Sequence, residues 1–434
     1  MSNPTPHGRA LPGNQWDLLD GVTPEALPTV SVIVAHFNQP QQLRRTLWAL
    51  ARQDYPGELV EIIVVDDGSA VAPDVPEGIL LVRQDDDGFR LAASRNLGAA
   101  AAANDVLVFL DADTSPEPGY LRELTRLPAL SDDAVTVGRR RHADLAQAEA
   151  FADIETVGAE NELEEPRWLV DAYRDSRNLL DADYRSYRYL IGAVLACSRE
   201  FFFEIGPFDE SFTEYGGEDW EWAYRAWLAG AAFAHVPEAV AWHDGPYRSD
   251  RASDLATKND EALRLADLIP LPGSRGRALP SNHADIAVYG PPESATRGQI
   301  FVSHDSLLGE LPGGELADVS AVDDDRSGGD GVDGPDATDR FDRVRIEVRV
   351  ALPVRAEPGS LAPALSAISG DDYAEVIVRS SSGTELLRLV SRRALARQQR
   401  WGGEPLLPTL DLVAEGVAEL TDEVDLEAYL GGWG

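Results

Sequence analysis

From Val30 onward the chain alternates unbroken apolar runs with segments of helical spacing. VSVIVAHF reads as a buried strand, and QPQQLRRTLWALARQ as a helix with Leu43, Leu47 and Leu50 on one face. LVEIIVVDDGS is a second buried strand, ILLVRQD a short one, RLAASRNLGAAAAA a helix and VLVFLDAD another strand. Strands that are continuous Val/Ile/Leu runs, separated by helices, predict a mostly parallel central sheet with helices on both faces, an α/β fold. Ligands in such sheets bind beyond the carboxyl ends of the strands. His36-Phe37-Asn38, Asp66-Asp67 and Asp111/Asp113 all fall there.

The pattern then weakens. Residues 139–189 are charged and aromatic without clear strands, and predict helices and a loop over the sheet edge. Tyr189–Cys197 is apolar again, SREFFFEIG predicts a helix, and GGEDWEWAYRAWLAG a helix with acids in its first turn that ends on Gly230. AFAHVPEAVAWHD predicts the closing strand. The expected division is an N-terminal extension at 1–29, a main domain at 30–250, a helix and Pro/Gly-rich connection at 251–316, an acidic disordered linker at 317–340 and a small α/β domain at 341–434. The likeness of DDYAEVIVRSSSGTE to QDYPGELVEIIVVDDGS suggests that the last domain is a degenerate repeat.

Length and charge narrow the function. At 434 residues the chain exceeds one ordinary domain. Its 75 acidic residues against 38 basic ones give a net charge of −37, which argues against nucleic acid or an anionic membrane as partner. Any anionic ligand must therefore find a local positive site. No segment has the roughly 18 uninterrupted apolar residues of a membrane helix, and MSNPTPHGRALPGNQW lacks a signal-peptide pattern, so a cytoplasmic location is expected. The single cysteine, Cys197, lies in an apolar run and reads as a buried thiol.

Candidate chemistry sits at the strand ends. Two carboxylates straddling one residue, Asp111 and Asp113, can face a single Mg²⁺ or Mn²⁺ whose remaining positions take water and phosphate. A solvated pair or a helix cap fits the same residues. Asp66-Asp67-Gly68-Ser69 could accept hydrogen bonds from a base or ribose, or form an Asx turn. Arg90 and Arg95 lie at the start of a helix, where phosphate charge is favoured, though each also suits a salt bridge.

In order, SVIVAHFN, VVDDGS, GFRLAASRNLGA, FLDAD, GPFDESF, YGGEDWEWAYRAWLAG and WHD resemble an inverting family 2 glycosyltransferase of the GT-A fold, over about residues 30 to 248. YGGEDWEW with His243 is similar to the β-galactosyltransferase and chondroitin-polymerase branches. The resemblance implies a UDP-sugar donor and a glycan or other hydroxyl acceptor. By it, His36, Phe37, Asn38, Asp66 and Asp67 hold the uridine, Arg90 and Arg95 the phosphates, and Asp113 and Asp111 the metal and donor. His243 completes the metal site and tilts the choice to Mn²⁺ over Mg²⁺. Asp219 is the implied general base and Glu218 the sugar-binding acid; Gly217 permits close approach to the sugar, and Tyr215 and Trp220 face the acceptor. His235, earlier on the same strand, reads as a packing residue. A catalytically inactive nucleotide-sugar or glycan-binding module is the alternative.

Overall fold

The computed structural model describes residues 6–213, 216–246, 255–275, 278–279, 282–317 and 339–431. The chain divides into two compact units, residues 1–227 with 231–261 and residues 228–230 with 262–434.

The first unit opens with β1 (Val30–His36), α1 (Pro40–Ala51), β2 (Val60–Asp66), β3 (Leu80–Arg83), α2 (Leu91–Ala101) and β4 (Val106–Asp111). It continues through β5 (Thr114–Pro116), α3 (Tyr120–Leu130), β6 (Ala134–Ala143), α4 (Ile154–Glu160), β7 (Glu162–Leu163) and α5 (Arg167–Asp175). β8 (Val194–Ser198), α6 (Arg199–Glu204), α7 (Glu218–Leu228) and β9 (Ala232–Asp244) complete it. One nine-stranded sheet runs β3-β2-β1-β4-β8-β6-β9-β5, with β7 on β6. β3, β2, β1 and β4 are parallel, whereas β8 is antiparallel to both β4 and β6. The apolar runs explain the parallel part, since Val32, Ile33, Val34, Ile63, Val64, Val65, Leu107, Val108 and Phe109 are all fully buried. Helix α2 lies so close that a Cβ on Gly98 would come within 2.4 Å of Ile33, which accounts for a glycine inside that helix.

The N-terminal extension finds its place here, and one expectation changes. The extension packs on the first unit: Leu11 and Leu19 are buried with Leu127, Ala134, Ala232 and Ala234, and Asn14 bonds both the amide and the carbonyl of Phe233. Residues 139–189 do contain strands, because β6 continues through Arg139–Ala143 in parallel register with Val240–Asp244 of β9. Its charge concealed it. Arg139 and Arg141 pair with Glu165 and Glu162 on the covering segment, and Arg141 lies over the Trp242 ring at 4.1 Å.

Helix α8 (Leu255–Leu268) crosses the division between the units. The second unit comprises β10 (Ile286–Tyr289), α9 (Arg297–Glu310), β11 (Gly314–Leu316), β12 (Ile346–Val350), β13 (Val354–Ala356), α10 (Ala362–Ser369) and β14 (Glu375–Arg379). β15 (Glu385–Ser391), α11 (Arg392–Trp401), β16 (Thr409–Val413), β17 (Val417–Glu419) and α12 (Leu426–Tyr429) follow. A six-stranded sheet, β11-β10-β12-β15-β14-β16, carries its core of Ile286, Val288, Ile346, Val348, Val376 and Leu389. The stretch expected as a connection thus supplies two of these strands and a helix closed by a Thr296–Gln299 capping box. Residues 318–338 of the expected linker lie outside the described residues. The suggested repeat finds no support in the pairing: β2 has two parallel neighbours, β14 one antiparallel and one parallel. Among the described residues no helix is long and apolar enough to cross a membrane.

Candidate active site

The carboxyl ends of β1 and β2 form a closed network. Asp66 is fully buried, and its carboxylate accepts from His36 Nδ1 at 2.8 Å and from Arg83 Nε at 2.7 Å. Burial alone would raise its pKa, but bonds from Ser69, His36 and Arg83 prevail and hold it below the usual carboxylate range. His36 is 3% exposed, and its Nε2 accepts from the Gln39 amide. Asp67 accepts from the Arg90 amide at 3.0 Å and from the Gln84 side chain. In this structure the side chains of His36 and Asp66 thus bond to the protein's own groups. Phe37 differs, with 44% of its surface open beside Asn38, whose φ of 51° turns the chain at the strand end.

At the next strand end Asp111 and Asp113 diverge. Arg95, 2% exposed on α2, donates to Asp111 Oδ1 at 3.0 Å and to Glu218 Oε1 at 2.7 Å. It ties the end of β4 to the start of α7. Burial works against its charge, yet Asp111, Glu218 and Asp219 together hold it firmly protonated. The guanidinium of Arg95, expected at the phosphates, is engaged by two carboxylates in this structure.

Asp113 faces His243. Their Oδ2 and Nε2 atoms are 3.6 Å apart, brought together because β5 pairs antiparallel with β9 and sets Thr114 opposite His243. The Nδ1 atoms of His142 and His243 both lie against the Gly245 carbonyl, at 3.1 and 3.2 Å. A carbonyl only accepts, so each Nδ1 carries the proton, and in a neutral ring the lone pair is then on Nε2. A lone pair and a carboxylate oxygen facing each other at this spacing suit a cation between them. Gln39 Nε2 also donates to Asp113 Oδ2 at 3.0 Å. The strand end beyond His243 is fixed by Asp244, which accepts from Arg45 and the Leu145 amide. Among the described residues no cluster of three His, Cys, Asp or Glu side chains forms a ligand set, so the prepared pair is Asp113 and His243.

Helix α7 begins after two glycines at φ 107° and 93°, Gly216 and Gly217, a conformation that admits side chains only with strain. Glu218 and Asp219 fill the first turn. Asp219 Oδ2 accepts from the Gly192 amide at 3.0 Å and Oδ1 from the Trp220 amide at 2.9 Å, leaving one lone pair on each oxygen. Burial pushes both carboxyls up, and the negative charge of Asp219 adds to the rise at Glu218; Arg95 opposes both. Trp220 meets Tyr187 edge to face at 6.4 Å. Tyr215 lies outside the described residues. Reading the sequence missed Gln39, the Gly192 amide, His142 and Arg140, which lies near enough to Asp219 to lower its pKa. For His142 and Arg140 the signal was RRRH, read as loop.

The parallel sheet edge bearing Asp-x-Asp, the histidine on the adjoining strand and the paired acids at a helix start all lie within residues that resemble known glycosyltransferases. The glycosyl transferase family 2 model matches residues 31–183, and the N-terminal domain of galactosyltransferase model matches residues 177–243. Residues 31–183 thus match glycosyltransferase family 2, and residues 177–243 continue the match into a galactosyltransferase-type domain. The chain is 29% identical over 263 residues to chondroitin synthase of Escherichia coli, covering 54% of this chain and 38% of that one. It is 31% identical over 219 residues to validoxylamine A glucosyltransferase of Streptomyces hygroscopicus subsp. limoneus, with 46% and 48% covered. It thus spans half or less of these curated relatives. A solved mannosyltransferase from Pyrobaculum calidifontis, in complex with GDP-Man and Mn²⁺, aligns at 19% identity with a TM-score of 0.42, over 60% of this chain and 68% of that one.

Proposed function

We propose that the first unit transfers a hexose or N-acetylhexosamine from a UDP-sugar to a hydroxyl of a glycan or other acceptor, with inversion. The observation that carries this is the Arg95 bridge, which joins the strand end bearing Asp111 to the helix start bearing Asp219. Donor chemistry and acceptor chemistry are thereby held in one frame. Asp219 takes the proton from the acceptor hydroxyl as its oxygen bonds the anomeric carbon and the bond to the nucleotide diphosphate breaks. Its raised pKa makes it a stronger base than an exposed carboxylate, and the amides of Gly192 and Trp220 fix its orientation. Glu218, anchored by Arg95, borders the transferred sugar. Phe37 offers its open ring to the uracil, next to Asn38 and Asp67, and Arg90 stands beside them for the phosphates.

Asp113 and His243 would hold Mn²⁺, or Mg²⁺, which supplies positive charge to the departing diphosphate. The imidazole favours Mn²⁺. The names of the chondroitin synthase and glucosyltransferase relatives support sugar transfer, and Trp220 would border the acceptor. Incubating the full chain with a panel of UDP-sugars, Mn²⁺ and saccharide acceptors tests the reading. Release of UDP coupled to a new glycoside is expected for one donor. Binding of UDP-sugars with no glycoside formed from any of them would favour a binding module instead.

A further inference from the structure

Three consecutive arginines on β6 have unequal surroundings. Arg139 pairs with Glu165 and Arg141 with Glu162, but Arg140 has no carboxylate partner among the described residues. In a chain with 75 acids and 38 bases, a partly buried arginine that forms no ion pair among the described residues is an outlier. It borders a cavity of about 220 Å³ between β6, β9 and α5, whose wall also includes Leu169, Tyr173, Asn178 and His235. That is below the usual range for drug-sized ligands and suits one sugar ring.

The cavity holds a second unmet group. His235 is 6% exposed and stacks on Tyr173, the ring centroids 3.6 Å apart and the planes 3° from parallel. Its Nδ1 lies 2.9 Å from Asn178 Oδ1, an acceptor, so Nδ1 carries the proton and Nε2 the lone pair. That Nε2 is buried and has no hydrogen-bond partner among the described residues. Burial holds the ring neutral, with its pKa lowered to about 3. Asn178 is placed by a rare piece of backbone: Arg177, Asn178 and Leu179 all have φ between 52° and 68°. This left-handed turn is held by Asn178 N to Tyr173 O at 2.7 Å, His235 N to Asn178 O at 3.0 Å and Asn14 on the Leu179 carbonyl. Strain of this kind persists only where its surroundings over-determine it, and it gathers at binding sites.

We infer that this cavity is a subsite for a carboxylate-bearing sugar of the acceptor, with the Arg140 guanidinium on the carboxylate and a sugar hydroxyl donating to His235 Nε2. A planar fork of donors matches a carboxylate in two bonds. The charge of Arg140 lowers the pKa of Asp219, so the subsite lies within electrostatic reach of the proposed base. The inference rests on the transferase reading for the word acceptor, but its test does not need turnover.

Binding of methyl β-glucuronide, methyl β-glucoside and glucose 6-sulfate to the full chain is measured by calorimetry without donor. The glucuronide is expected to bind at least about tenfold tighter than the glucoside, the yield of one charge-assisted bond. Arg140→Gln removes that preference, while Arg140→Lys, which keeps the charge without the fork, retains part of it. His235→Phe keeps the stack on Tyr173 and weakens both glycosides. Equal binding by the unmodified chain, a preference that survives Arg140→Gln, or tightest binding of the sulfate would overturn the inference. A chain that selects the glucuronide yet forms no glycoside sustains the subsite and sinks only the transferase reading.

Discussion

Two acidic strand ends look alike in the sequence, VVDDGS and FLDAD, and the fold gives them different surroundings. At the first, the oxygens of Asp66 and Asp67 are met by His36, Arg83, Gln84 and the Arg90 amide. At the second, Asp111 has one oxygen on Arg95, and Asp113 faces a histidine lone pair across 3.6 Å. An acid whose hydrogen-bonding capacity is met inside the protein braces the sheet. One left partly unmet beside another acceptor is prepared for a cation or a substrate.

Substitutions can break this contrast. The largest effect is expected at Asp219, where Asn removes the base without changing shape: kcat should fall by about 10²- to 10⁴-fold, with UDP binding and melting temperature unchanged, as transfer assays and calorimetry would show. Asp66→Asn should do the reverse. Stability should fall by about 3 kcal/mol, because His36 and Arg83 lose a buried counter-charge, while transfer per folded molecule persists; urea unfolding checks this. His243→Ala leaves Asp113 alone and should raise the Mn²⁺ concentration needed for half-maximal transfer by about tenfold or more. The smallest effect is in the pH profile. Asp219 must be ionised to act and its pKa is raised, so activity is lost as pH falls through that raised value. The acid limb of kcat/KM should therefore lie above the ordinary aspartate value of about 4. A limb at or below it would show that another group is the base.

The first half of the fold was legible because buried parallel strands are written as apolar runs, and β1, α1, β2, β3, α2 and β4 appear where those runs fall. Strand β6 was not, since past Gly138 its outward residues are arginines whose partners, Glu162 and Glu165, come some twenty residues later. Spacing also placed the acids of α7 correctly at a helix start. What sequence could not reveal is which polar groups meet each other. That Asp66 is closed while Asp113 is open follows from the register of β1 with β2 and of β5 with β9, both set by long-range pairing. The same holds for Arg140, distinguishable from its two neighbours only by the partners that they have and it lacks.

The division between bracing and binding acids is tested most directly by calorimetric titration of UDP, with and without Mn²⁺, into Asp66→Asn and Asp113→Asn. The account predicts that Asp113→Asn loses the Mn²⁺-dependent part of UDP binding at an unchanged melting temperature, while Asp66→Asn melts lower and binds UDP with Mn²⁺ as the unmodified chain does. Loss of Mn²⁺-dependent binding in Asp66→Asn at full stability, with Asp113→Asn unaffected, would contradict it.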